Sequence, residues 1–298
     1  MFNEENDLVF MRNEKEILDE IKNWGIKDEN IRVAMLTGSR ANPNTIVDLV
    51  SDFDIELVVK NLENFLNNEK WLSVFGDSMA IISIDAEFSM RMVIYKDYTR
   101  IDFRIYSEEN FKQWIEQTDL QKHWDAGYKI LIDKDGITAK LKPPAYNAFK
   151  ITKPGKEKFS AIVTDFWWDM TYVAKSLWRD ELFYAKYMLD NIIRFSYLQT
   201  MIEWYAGLRN NWQITTNKHG RFFKRFLDTE TWTELEKTFA GSELEENWKA
   251  LFATSKLFRR LATTIAKDLG YPYPLKLDAE ITAYLEKIKD LDRYATAL

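Results

Sequence analysis

The chain has 298 residues, of which 46% are hydrophobic and 15% aromatic, and its 41 basic and 47 acidic side chains give a net charge of −6. That length fits one large or two ordinary domains with ample core material, and the absence of cysteine excludes disulfides, thiolate zinc sites and a cysteine nucleophile. The acidic balance argues against a nucleic-acid partner, whose phosphates call for a basic stripe, and suits a cationic partner better.

In chain order, residues 1–7 are acidic and have the character of neither a secretory signal nor a transit peptide. No apolar run reaches the roughly 20 residues that span a membrane, so a cytoplasmic protein with no membrane partner is expected. Ile17, Leu18 and Ile21 predict a helix over 12–23 that Gly25 stops. Residues 31–36 read as a strand running into Gly38-Ser39, 54–59 as a second strand, and 61–69 as a helix. Residues 81–84, 88–95 and 100–106 read as further strands, the last two joined by a Lys-Asp-Tyr-Thr turn at 96–99; 111–117 returns to helix. This order predicts an α+β fold, a mixed sheet with helices on one face.

Gly136, Pro143, Pro144, Pro154 and Gly155 punctuate 133–156, which reads as a connector. Beyond it, three- and four-residue apolar spacing over 159–188, 190–206, 221–239, 243–269 and 278–296 predicts an all-helical second domain. The expected boundaries are 1–140 and 157–298, with 141–156 as linker. Oligomeric state is not legible from these patterns.

The chemistry concentrates in 36–59. Gly38-Ser39 is followed by a polar loop and then by Asp52-Phe53-Asp54-Ile55 opening an apolar strand. Alternation along a strand sends Asp52 and Asp54 to one face while Phe53 and Ile55 enter the core. Two carboxylates beside a turn that offers backbone N–H groups can hold Mg²⁺ against a polyphosphate. Arg100-Ile-Asp-Phe-Arg-Ile-Tyr106 adds Asp102 on a polar face between Arg100 and Arg104, where a surface ion pair is the competing role. A strand beside the one carrying Asp52 and Asp54 would bring all three acids within reach of one metal, and a third carboxylate can also accept the proton of an attacking hydroxyl. Competing phosphate motifs are missing: there is no Gly-x-Gly-x-x-Gly, no P-loop spacing and no Gly-x-Ser-x-Gly elbow. His123 and His219, the only histidines, are read as ordinary surface or capping residues.

Gly-Ser, Asp-hydrophobic-Asp-hydrophobic and an acid on a later strand together resemble the polymerase-beta-like nucleotidyltransferase superfamily. Three further segments are similar to the aminoglycoside 6-adenylyltransferases: the hairpin at 95–103, the tryptophan-rich run at 166–185, and Lys-His-Gly-Arg-Phe-Phe-Lys at 218–224. The resemblance implies transfer of AMP from ATP to the 6-hydroxyl of streptomycin, with Mg²⁺ and release of pyrophosphate. It implies Gly38 and Ser39 as the phosphate turn, Asp52 and Asp54 as metal ligands, and Asp102 as third ligand and candidate general base. Arg40 follows the turn, within reach of a phosphate, and the resemblance suggests Lys218 and Lys224 against the triphosphate. A nucleotidyltransferase for another acceptor (a lincosamide, a protein or tRNA) and a non-catalytic nucleotide-binding module are the alternatives. The turn at 96–99 departs from the family where a glycine is expected. Asp165, Trp168, Asp169, Tyr172, Lys175 and Arg179 share one broad helical face. Asp165, Trp168, Asp169 and Tyr172 are candidates to grip and stack the guanidinium groups of a cationic acceptor; core packing is the competing role for Trp167, Trp168 and Tyr172.

Overall fold

The structure, a computed structural model, describes residues 11–85 and 88–295. The chain divides into two compact units, Met1–Phe149 and Lys150–Leu298. Each is built from its own core.

The first unit begins with α1 (Glu14–Lys27), whose Asn13 and Glu16 form a reciprocal capping box. Gly25 does not stop this helix. It lies inside it because the chain packs closely there: a Cβ would meet Ile132 Cδ1 at 2.5 Å. After α1 come β1 (Ile31–Thr37), α2 (Gly38–Ala41), β2 (Phe53–Val59) and α3 (Glu63–Leu66). The helix expected over 61–69 is shorter. Asn68 turns extended and its side chain accepts from Lys70 N, restarting the chain as a 3₁₀ turn over Glu69–Phe75.

Strands β3 (Ser78–Asp85), β4 (Ser89–Tyr95) and β5 (Arg100–Ser107) follow, then α4 (Glu108–Ile115), α5 (Lys122–Asp125) and β6 (Lys129–Asp133). The sheet order is β3-β4-β5-β2-β1-β6, with β2 and β5 parallel and the other pairs antiparallel. Strand β6 is an addition to the sequence-based expectation: its five residues run into the stretch where turn formers and charges suggest a connector. In the β4–β5 turn, Tyr98 takes φ +65°, and Tyr95 N still bonds Thr99 O at 2.9 Å, so register is kept without a glycine.

Alternation explains the faces. Phe53, Ile55, Leu57 and Val59 of β2 join Ile101, Phe103 and Ile105 of β5 beneath Ile17 and Ile21 of α1. Each of these buried side chains is worth roughly 1.5–3 kcal/mol by transfer. The opposite face is not bare, as a one-sided sheet would have it. There Val33, Met35, Val58 and Tyr106 pack against Phe111 of α4 and Trp124 of α5. That second face is therefore apolar at the Val58–Tyr106 end and polar at the end where β2 and β5 begin.

The second unit is helical. It comprises α6 (Lys156–Trp178), α7 (Leu182–Lys186), a π-helix (Tyr187–Leu198), α8 (Gln199–Arg209), α9 (Phe223–Phe226), α10 (Thr229–Glu236), α11 (Leu244–Leu269) and α12 (Leu275–Asp290). Position 296 of the helix expected over 278–296 lies outside the described residues; α12 itself ends at Asp290. Phe166 of α6 stacks on Phe258 of α11 with centroids 3.6 Å apart, at the centre of one continuous core. No helix among the described residues is long and apolar enough to cross a membrane.

Candidate functional site

The acids gather where β1 ends and β2 and β5 begin. Asp54 is the direct register partner of Asp102 on the neighbouring parallel strand, and of Thr37 on the other side. Asp52 lies just before β2 and is half-exposed. Burial raises the Asp54 pKa above the ordinary carboxylate value; the charges of Asp102 and Asp52 add to the rise, and Arg104 opposes it. Asp54 is thus a carboxylate short of positive charge.

Gly38 shows why the turn is glycine. Its φ is +67°, and a Cβ there would overlap the Asp54 carboxylate. Ser39 stands in α2 immediately after it, and its carbonyl accepts from Thr45 Oγ1 at 2.6 Å. Thr37, the residue before the helix, makes no side-chain cap.

Arg40 is engaged elsewhere. Its guanidinium bonds the carbonyls of Asp52 at 3.1 Å and Ser51 at 2.7 Å, pairs with Glu14 at 2.9 Å and lies 3.9 Å over the Phe53 ring. Only 7% of its side chain is exposed. Instead of reaching out beside Ser39, Arg40 clamps the loop that delivers Asp52.

Arg100 takes the central place. Its Nε and Nη2 donate to Asp102 Oδ1 and Oδ2 at 2.8 and 2.7 Å, and its Nε is 3.6 Å from Asp52 Oδ2. Among the described residues, no group of three or more His, Cys, Asp or Glu is arranged to hold a metal ion. The donor chemistry nevertheless fits Mg²⁺: hard carboxylate oxygens, surplus negative charge, and a guanidinium standing in as the cation.

One residue that sequence reasoning missed is Glu56, two positions along β2 on the same face. It is 1% exposed. Its carboxylate accepts from Trp124 Nε1 at 2.6 Å and Arg104 Nη1 at 3.2 Å, with His123 Nε2 3.4 Å away. A charge in the middle of an apolar strand is the signal that would have found it. His123 is therefore a neighbour of a buried acid rather than an isolated surface group. Trp124→Phe should remove a donor from that carboxylate and lower unfolding free energy by about 1–3 kcal/mol. Denaturant unfolding measures it, and an unchanged midpoint and slope would contradict the assigned bond.

The remaining candidates belong to the second unit. Trp167 is core, its Nε1 donating to Tyr273 Oη at 3.2 Å. Trp168, by contrast, is 63% exposed. Asp165 is exposed, Asp169 half-buried, and Tyr172 half-buried against the core with Lys175 Nζ 4.4 Å over its ring. Tyr197, from the π-helix, donates to Asp169 Oδ2 at 2.7 Å. Burial holds the Tyr197 phenol protonated well above its ordinary range, and Asp169 and Asp165 reinforce this. Residues from two helices thus build one acidic–aromatic face, and Tyr197 is not visible in the α6 spacing. Lys218 is exposed, and Lys224 lies 5.3 Å over the Trp232 ring. A shallow depression of about 470 Å³ lined by Glu20, Trp24, Lys27 and Asp28 lies on the α1 side and includes none of the acids of this cluster.

A family model described as streptomycin adenylyltransferase matches residues 11–288. The chain belongs to that family. It is 30% identical over 287 residues to an aminoglycoside 6-adenylyltransferase of Bacillus subtilis (strain 168), covering 93% of this chain and 98% of the relative. It is 30% identical over 288 residues to one of Campylobacter jejuni, covering 94% and 96%. The crystal structure of an aminoglycoside 6-adenyltransferase from Bacillus subtilis aligns over 94% of this chain and 100% of its own, at 25% identity and a TM-score of 0.47. The matched residues span both units.

Proposed function

We propose that this chain transfers AMP from ATP to the 6-hydroxyl of an aminoglycoside, streptomycin, releasing pyrophosphate and inactivating the antibiotic. The observation that carries the reading is the Asp54–Asp102 register pair beside Gly38, in a chain that belongs to the streptomycin adenylyltransferase family. ATP is available in the cytoplasm, and the reaction belongs there.

Asp52, Asp54 and Asp102 would hold Mg²⁺, which supplies charge neutralisation and alignment of the phosphates. Gly38 and Ser39 form the turn against the triphosphate; Lys218 and Lys224, in the second unit, are candidates for nucleotide phosphate on the strength of the family resemblance alone. The acceptor oxygen forms its bond to the α-phosphorus as the bond to the β-phosphate oxygen breaks and pyrophosphate leaves. The hydroxyl proton passes to a carboxylate, for which Asp102 is our candidate. On α6, Asp165 and Asp169 grip the acceptor's guanidinium groups while Trp168 and Tyr172 offer aromatic faces. Tyr197 is added here as the residue that fixes the Asp169 carboxylate.

The test is pyrophosphate release from ATP and Mg²⁺ across a panel of streptomycin, other aminoglycosides and a lincosamide. Strong release with streptomycin is expected. Release at background with every aminoglycoside, or with the lincosamide alone, overturns the reading.

A further inference from the structure

Arg100 sits two residues before Asp102 on β5, so both side chains leave the same face of the strand. The guanidinium fork closes on both Asp102 oxygens, at 2.8 and 2.7 Å, while its Nε approaches Asp52 Oδ2 at 3.6 Å. Asp102 is 9% exposed, whereas Arg100 is 42% exposed. The acid is fixed in the sheet and the base is free to leave.

The other cations near this face are committed. Arg104 is tied to the buried Glu56. Arg40 is spent on the carbonyls and carboxylate that fix its loop. Arg100 alone among the three is paired with acids that the proposed reaction needs for another cation.

We propose that Arg100 is a displaceable internal counterion: it competes with the divalent cation for Asp102 and Asp52, and when displaced it turns to the polyphosphate of the arriving nucleotide. This rests on the reading of Asp52, Asp54 and Asp102 as the cation's ligands. A guanidinium does not lose its proton in a protein, so it yields the carboxylates by moving, not by titrating. A fork that engages both oxygens of a carboxylate competes with inner-sphere ligation by a small cation, which needs near-ideal geometry and gives up water reluctantly. Once displaced, the charge needs a new partner, and a polyphosphate is the anion delivered with the metal. Cation and nucleotide binding are thereby coupled: the cation alone meets a competitor, whereas the cation with nucleotide gives that competitor a better partner.

The consequence is a pair of opposite changes in one variant. Full-length protein and Arg100→Gln are titrated with Mg²⁺ alone, then with a non-hydrolysable ATP analogue in saturating Mg²⁺, by calorimetry. Arg100→Gln should bind Mg²⁺ alone about fivefold more tightly and the nucleotide analogue about fivefold more weakly, as expected when one partly exposed charge pair is removed. Arg100→Lys, which keeps the charge without the fork, should fall between. Because Arg100 is half-exposed, the variant should keep its circular dichroism and cooperative melting.

Asp54→Asn separates this inference from the reading it rests on. If Asp54→Asn abolishes Mg²⁺ binding while Arg100→Gln leaves the Mg²⁺ affinity unchanged or weaker, the ligands stand and the counterion role falls. If Asp54→Asn leaves the Mg²⁺ affinity unchanged, the ligand reading falls and takes the counterion role with it. No detectable Mg²⁺ binding in both wild type and Arg100→Gln also overturns the inference.

Discussion

Asp54→Asn is expected to abolish AMP transfer and, in the same protein, to raise the melting temperature. The loss should be about a thousandfold or more, since on the proposed reading the substitution removes a charged ligand from the place where phosphate charge is neutralised. The gain follows from the environment of Asp54. Burial raises its pKa first, and the charges of Asp102 and Asp52 raise it further.

A carboxyl whose folded-state pKa lies above its unfolded value binds more protons folded than unfolded. It contributes stability that is fully present below the unfolded pKa and lost as pH rises through the raised folded value. At neutral pH the ionised Asp54 is therefore a cost, and an uncharged isostere relieves it by ~0.5–2 kcal/mol, the usual size of a single stabilising substitution. The advantage of Asp54→Asn should be present at pH 7 and vanish on acidification below the ordinary carboxylate pKa. Melting curves of both proteins across pH measure it. A variant less stable at pH 7, or a difference that does not depend on pH, would contradict the assigned environment.

Gly38→Ala is expected to be nearly as damaging to activity, through geometry alone. The backbone at φ +67° costs an L-residue about 1–2 kcal/mol. The added methyl also overlaps the Asp54 carboxylate, so either the turn or the metal-ligand candidate must shift. A displacement of about 1 Å in a catalytic group costs on the order of a hundredfold in rate. Gly136 has the same φ of +67°, but a methyl group there would meet nothing within 4 Å, so it provides the control. Gly136→Ala should share the backbone penalty but keep near wild-type turnover. Equal turnover in the two variants would mean that the approach of the turn to Asp54 does not matter.

What can be read from the sequence follows from periodicity. The strands β1, β2, β4 and β5 announce themselves because alternate residues enter one core, and that same alternation assigns Asp54 and Asp102 to a common face. Spacing does not reveal partners. Nothing in 129–133 separates β6 from a connector, because its charged ends lie on an edge where alternation is not enforced. Gly25 reads as a stop because a glycine demanded by a neighbour's bulk looks the same as one demanded by a helix end. Arg40, next to the turn, suggests a phosphate contact, yet the loop carbonyls have a prior claim on its five donors. The partners of Glu56 are out of reach for the same reason: a contact across strands is a property of register, whereas Arg100 and Asp102 share a face of one strand, as alternation already gives. The π-helix, which carries Tyr197 to Asp169, changes which residues share a face without changing composition.

The most direct test of the proposed activity is the mass of the antibiotic after incubation with this protein, ATP and Mg²⁺. The expected product is streptomycin bearing one added AMP, located at the 6-hydroxyl by fragmentation, with one pyrophosphate released per molecule modified. Unmodified streptomycin in the presence of active, folded protein, or a product bearing phosphate in place of AMP, would contradict it.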